Sequence, residues 1–212
     1  DGDLSEYDAF FFYTTGDLTQ PGTDKSPPMS PKGKQNLLEA IASGKGMFGS
    51  HCASDTFHSK GEAFQNQSER DPYIEMLGGE FIRHGKQQEA KMRVVDSAFP
   101  GIGPAGQEFT LHEEWYSLKN FNDDIHVILV QETQGMEGFD YERPPYPATW
   151  AREHGKGRVF YTSMGHREDV WAHAVFQSLV IGGLSWVTHK INADIPANLS
   201  SVAPHANDLP HK

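Results

Sequence analysis

Two histidines stand where a β-sheet could present them to a ligand. His51 follows the run Gly46, Met47, Phe48, Gly49, Ser50 and precedes Cys52, Ala53, Ser54 and Asp55; His166 follows residues 158–163 by way of Met164 and Gly165. Both segments read as a strand running into small residues or glycine, and in open α/β sheets ligands bind outside the carboxyl ends of the strands. Residues 49–55 have the form of the strained strand-to-helix elbow that lifts one side chain above a sheet. His51, not serine or cysteine, occupies the raised position. Two imidazoles at neighbouring strand ends can serve as acid and base, or as metal ligands. Alone, either one reads as an ordinary loop residue; the matching pair carries the reading.

Other residues are candidates with plainer alternatives. Cys52 lies one place past the elbow tip, near histidines, a setting that suits a nucleophile. Free cysteine is nevertheless among the most buried residue types, and a shift of one place turns it away from the tip. His112, Glu113, Glu114, Trp115 and Tyr116 bring carboxylates and aromatic rings together. Such a set suits a polyhydroxylated ligand and acid–base work, or else forms an acidic turn beside a core tryptophan. Asp55 can orient His51 or cap the following helix. His84 follows a strand and could join a polar cluster, whereas His126 opens an apolar strand and reads as structural. No glycine-rich dinucleotide fingerprint or P-loop is present, so no nucleotide cofactor is expected. Histidines and carboxylates leave room for a metal, although no compact motif demands one.

Composition narrows the class. The 212 residues carry 18 Lys and Arg against 29 Asp and Glu, a net charge of −11, which makes nucleic acid an unfavourable partner. The most apolar stretch, residues 174–187, is too short to span a bilayer, so no membrane insertion is expected. A single cysteine excludes a disulfide scaffold and leaves the compartment open between cytoplasm and export.

The elements that must position these residues follow from the apolar runs. Residues 7–13 form a continuous aromatic run of strand length, suited to a strand buried on both faces. Ser30-Pro31 reads as a helix start, with Leu37, Leu38 and Ile41 on one face and Gly44 at the far end. Residues 46–50 form the next strand. A short helix is expected near residues 73–77, closed by Gly78-Gly79, then short strands at 81–84 and 91–95. Residues 126–131 form a buried strand, and 148–152 and 158–163 a hairpin about the turn at 154–157. Residues 170–187 have helical spacing, with Gly182-Gly183 allowing close approach to the sheet. The pattern reads as α/β with a mostly parallel sheet and helices on both faces. One domain over residues 1–190 is expected, with a polar tail, peripheral or loose, at 191–212.

Several of these segments, taken together, resemble the ThuA-like (trehalose-utilisation) family. They are residues 46–56, 77–81, 113–116, 124–129 and 148–153, and most specifically 155–166. The resemblance runs from about Leu4 to Thr188. It implies a flavodoxin-like sheet similar to that of class I glutamine amidotransferases, whose elbow carries cysteine and whose later strand end carries histidine. Histidine at position 51 argues against glutamine hydrolysis. Members usually open with a further strand, helix and strand, absent before Leu4; an uncovered edge of that kind would invite self-association into a homo-oligomer.

The resemblance implies a role in sugar metabolism, with trehalose or 3-keto-glycosides as the substrate class. It favours Glu114 over Glu113 and points to a pocket of His51, His166 and Glu114 as catalytic residues. Asp55, His84, Trp115, Tyr116 and Arg152 would contact the substrate. The competing expectations are a carbohydrate-binding or assembly domain without turnover, and a cysteine-nucleophile relative of the amidotransferases.

Overall fold

Periodicity and capping residues account for how the chain begins. Strand β1 (Ala9–Phe12) is followed by helix α1 (Pro31–Ala42) and strand β2 (Gly46–Ser50). The Ser30 hydroxyl accepts the Gly33 N–H at 2.9 Å, and Pro31 supplies the first helical residue without needing a donor. Gly33, Leu37 and Ile41, four residues apart, form the buried stripe of α1. Helix α2 (Pro72–Leu77) is capped by Asp71, which accepts from the Tyr73 N–H, and ends at Gly78 in the left-handed conformation. The structure is a computed structural model and describes residues 1–23 and 25–210.

The remaining strands are β3 (Glu80–His84), β4 (Gln88–Val94), β5 (Glu108–Glu113), β6 (Tyr116–Lys119), β7 (His126–Glu132), β8 (Tyr146–His154) and β9 (Gly157–Thr162). Seven of the nine form one sheet in the order β1-β2-β9-β8-β7-β4-β5, while β3 and β6 pair separately. The expected mostly parallel sheet is not what forms. The β1–β2 and β2–β9 pairs are parallel, but β9–β8, β8–β7, β7–β4 and β4–β5 are antiparallel. The sheet is mixed. The tight turn between His154 and Gly157 forces β8 and β9 antiparallel, and the buried runs in β7 and β8 report burial on both faces without fixing strand direction.

Side-chain alternation divides the core between the two faces of the sheet. Met47, Val159 and Tyr161 face α1 and α2, where Leu37, Ile41, Tyr73 and Leu77 pack. Phe48 and Phe160 face the other side and meet helix α4 (Ala174–Val187) through Phe176, Leu179 and Trp186. A Cβ on Gly183 would lie 2.8 Å from the Phe48 ring, so glycine there sets the helix-to-sheet distance. The helix expected over residues 170–187 is interrupted. Helix α3 (Glu168–Trp171) ends at Ala172, and His173 is extended before α4 begins.

Two further expectations are corrected. β1 lies at the sheet edge, with Phe11 and Tyr13 partly exposed, because its aromatic run has a neighbour on one side alone. The C-terminal stretch is not loose. Leu199 in helix α5 (Leu199–Val202) is buried with Ala203 and Ala206, and Asn198 brackets Val127, accepting its N–H at 2.7 Å and donating to its carbonyl at 3.0 Å. His126 is structural as expected, with its ring nitrogens on the Pro196 carbonyl and the Asp96 carboxylate.

Candidate functional site

The strand ends of β2 and β9 are locked together before either histidine is placed. The Ser50 hydroxyl donates to the Met164 carbonyl at 2.8 Å. His51 then takes φ 47°, the left-handed region that few residues other than glycine enter, and starts the 3-10 turn His51–Asp55. This is the elbow, with His51 at its tip. Its Nδ1 lies 3.0 Å from the Ser163 carbonyl, so Nδ1 carries the proton and donates.

The turn bearing His166 is held from three directions. Gly165 has φ 119°, and a Cβ there would come within 2.7 Å of the Ser50 hydroxyl. Tyr13 and Trp171 both donate to the Gly165 carbonyl, at 2.8 and 2.7 Å. The buried Glu113 carboxylate accepts the backbone N–H groups of Gly165 and His166 at 2.9 and 3.0 Å, and that of Glu114 at 2.8 Å. Burial raises the Glu113 carboxyl above its ordinary range, against the lowering effect of these donors.

Within this frame, β5 ends at Glu113 and delivers Glu114 between the two histidines. Glu114 Oε2 lies 3.4 Å from His51 Nε2 and 3.2 Å from His166 Nδ1, and Oε1 lies 3.4 Å from His84 Nδ1. The His51 and His166 rings meet edge-on at 5.1 Å. The Tyr116 ring floors the cluster, 4.0 Å from His51 and stacked on His84 at 5.9 Å. His51 is 2% exposed while His166 is 38% exposed, so one imidazole is sealed in and the other reaches solvent. Burial holds the His51 imidazole well below its ordinary range, which keeps it neutral. One atom from each of His51, Glu114 and His166 lies within 4.8 Å of the others, close enough to hold a metal ion. Beside His166 opens a groove of about 420 Å³ lined by Gln87, His166, Arg167, Glu168 and Asp169.

The structure thus brings together His51, His166, Glu114, His84 and Tyr116. It places three other candidates elsewhere. Trp115 is fully buried, with its indole N–H donating to the Gln88 carbonyl, so it offers no face to a ligand. Arg152 is buried against the end of α2, donating to the Glu75 and Met76 carbonyls and pairing with Asp124 at 2.7 Å. Asp55 hydrogen-bonds to Thr15 and His58 instead of orienting His51. Burial pushes the Cys52 thiol up to about 11, so it is not an activated nucleophile.

Sequence reasoning misses Glu113 as the anchor of the His166 turn. The signal was the adjacent pair Glu113-Glu114 at a strand end, where successive side chains point to opposite faces. It also misses His58, which bridges Asp55 at 2.9 Å and the buried Glu80 at 3.1 Å. These two hydrogen bonds, working against partial burial, push the His58 imidazole up to about 9.

Comparison with known proteins places the chain. The family model ThuA, described as trehalose utilisation, matches residues 1–187. A ThuA-like protein from Bacteroides uniformis superposes with a TM-score of 0.62 at 19% identity, over 87% of this chain and 70% of that one. A ThuA-like protein from Parabacteroides merdae gives 0.62 at 18% identity, over 92% and 77%. A β-galactosidase from Bacillus circulans gives 0.50 at 10% identity, over 73% of this chain and 20% of that one. At these identities the likeness shows the fold alone. No curated protein matches the sequence. With the family model spanning nearly nine-tenths of its length, the chain belongs to the ThuA family.

Proposed function

We propose that the chain acts on a sugar or a 3-keto-sugar by acid–base chemistry at the His51–Glu114–His166 centre. Membership of a trehalose-utilisation family supports the substrate class. The observation that carries the reading is the convergence of two imidazole nitrogens on one carboxylate oxygen, at the carboxyl ends of β2 and β9. Moving a proton at a carbon or hydroxyl beside a carbonyl needs an acceptor and a donor placed on the reacting group in advance. His51 Nε2 is such an acceptor, its tautomer fixed by the Ser163 carbonyl. His166 faces the groove, and Glu114 links both rings to His84, which is 43% exposed and completes a path for the proton to solvent. The net charge of −11 favours a neutral sugar over a polyanion.

The test is product analysis by NMR after incubation with trehalose, 3-keto-trehalose and glutamine. Turnover of the sugars that disappears in His51→Ala, with the fold retained, is the expected outcome. Binding without turnover would leave a carbohydrate-binding domain in its place. Glutamine hydrolysis would overturn the reading.

A further inference from the structure

The His51–Glu114 contact has an unusual polarity. Because Nδ1 donates to the Ser163 carbonyl, the neutral ring presents a bare lone pair at Nε2. That atom is buried, has no hydrogen-bond partner, and faces the Glu114 carboxylate at 3.4 Å. Two acceptors held face to face repel unless something positive lies between them. His166 Nδ1 points at the same oxygen from the other side, 3.2 Å away.

We infer that His51 Nε2, Glu114 Oε2 and His166 Nδ1 form a site for one divalent first-row transition ion, of the zinc, manganese or cobalt kind. The two separations to Glu114 agree with this, and all three ligand atoms lie within 4.8 Å of one another. A tetrahedral ion with bonds of about 2.0–2.1 Å has ligand atoms about 3.3 Å apart, and the two contacts to Glu114 measure 3.4 and 3.2 Å. Two imidazoles with one carboxylate are a donor set for such ions, and three protein ligands leave positions for an exchangeable oxygen. The supporting shell is already in place. The Ser163 carbonyl orients His51, and Glu113 pins the backbone of both Glu114 and His166.

Of the three side chains, His166 is the one that also lines the groove of Gln87 and residues 167–169. A cation held by these residues would polarise a hydroxyl or carbonyl oxygen bound to it. Glu114 would bind through Oε2 alone, leaving Oε1 against His84 to carry protons between the centre and solvent. The site goes beyond the sugar reading, because it stands on the three side chains and needs no sugar. It also changes one role within that reading: with the cation bound, His51 Nε2 is a ligand, and the proton is taken through Glu114 Oε1 and His84 instead.

The experiment is chelator treatment of the full chain, followed by titration with Zn²⁺, Mn²⁺ or Co²⁺ alone, using calorimetry and the visible spectrum of bound Co²⁺. One ion per chain is expected, with a low-symmetry Co²⁺ spectrum. Affinity should fall about 100-fold or more in Glu114→Gln and in His166→Ala. His205→Ala, which alters an exposed ring far along the chain, should bind as wild type. Absence of stoichiometric binding to the wild-type chain, or binding that survives in both site variants, overturns the proposal. The wild-type Co²⁺ spectrum decides even if a variant misfolds. Measuring 3-keto-sugar binding on both the stripped and the metal-loaded chain separates the two readings: sugar binding with no metal binding retains the sugar site and rejects the cation, and metal binding with no sugar binding to either form rejects the sugar.

Discussion

The carboxylate of Glu113 accepts the backbone N–H of His166 at 3.0 Å, so the placement of one candidate catalytic side chain depends on a buried acid at the end of β5, four places from β9 in the sheet order. The same carboxylate holds Gly165 and Glu114. Removing it leaves three backbone donors without their acceptor, one buried and two part-buried. Glu113→Ala is therefore expected to destabilise the chain by about 3 kcal/mol, read from chemical denaturation. A loss under about 1 kcal/mol would show that water or a shifted turn satisfies those donors instead.

Arg152 and the centre are separable. Its guanidinium closes the end of α2 through the Glu75 and Met76 carbonyls. Arg152→Met should lower stability by about 2–4 kcal/mol, since it strands those carbonyls in a buried position. Ligand and metal titrations of the folded variant should match wild type. A selective loss of ligand binding at unchanged stability would return Arg152 to the site.

Stability should depend on pH through His58. Asp55 and Glu80 raise its imidazole to about 9 from an ordinary 6.5, so the folded chain holds this proton more tightly than the unfolded chain. The contribution is complete below about pH 6.5 and is lost as pH rises through about 9. With the ring 43% exposed, solvent screening makes its size smaller than the shift alone implies. The stability gap between wild type and His58→Gln should narrow between about pH 7 and about pH 10 in denaturation curves. A gap that stays constant or widens contradicts the bridge.

Cys52 should be dispensable to the chemistry. Its raised thiol predicts slow alkylation at neutral pH, followed by mass spectrometry, and unchanged ligand binding in Cys52→Ala. Fast alkylation, or loss of turnover in that variant, would restore the cysteine nucleophile.

What the sequence reveals here follows from which features are local. The elbow is legible because Gly49 to Asp55 sets small residues around one raised side chain, and the hairpin because residues 154–157 form a turn between two apolar runs. Strand direction is not legible: Val127, Ile128 and Leu129 are buried on both faces of β7 whichever way β8 runs. Trp115 and Arg152 are expected at the pocket from the family resemblance, with the aromatic ring of Trp115 also suiting a sugar. What places them in the core is the set of carbonyls they reach, at Gln88, Glu75 and Met76, which folding alone brings near. The polar tail conceals its packing in the same way, since Asn198 acts through its bracket on Val127.

The most direct test of the central claim is a thermal-shift comparison of wild type and Glu114→Gln with trehalose, 3-keto-trehalose and glutamine. A ligand at 100 times its dissociation constant adds about 2.7 kcal/mol, or roughly 5–10 °C for a chain of this length. The account predicts that wild type shifts with a sugar of this class, that Glu114→Gln loses the shift, and that glutamine moves neither. An equal sugar shift in both proteins, or a shift with glutamine alone, would contradict it.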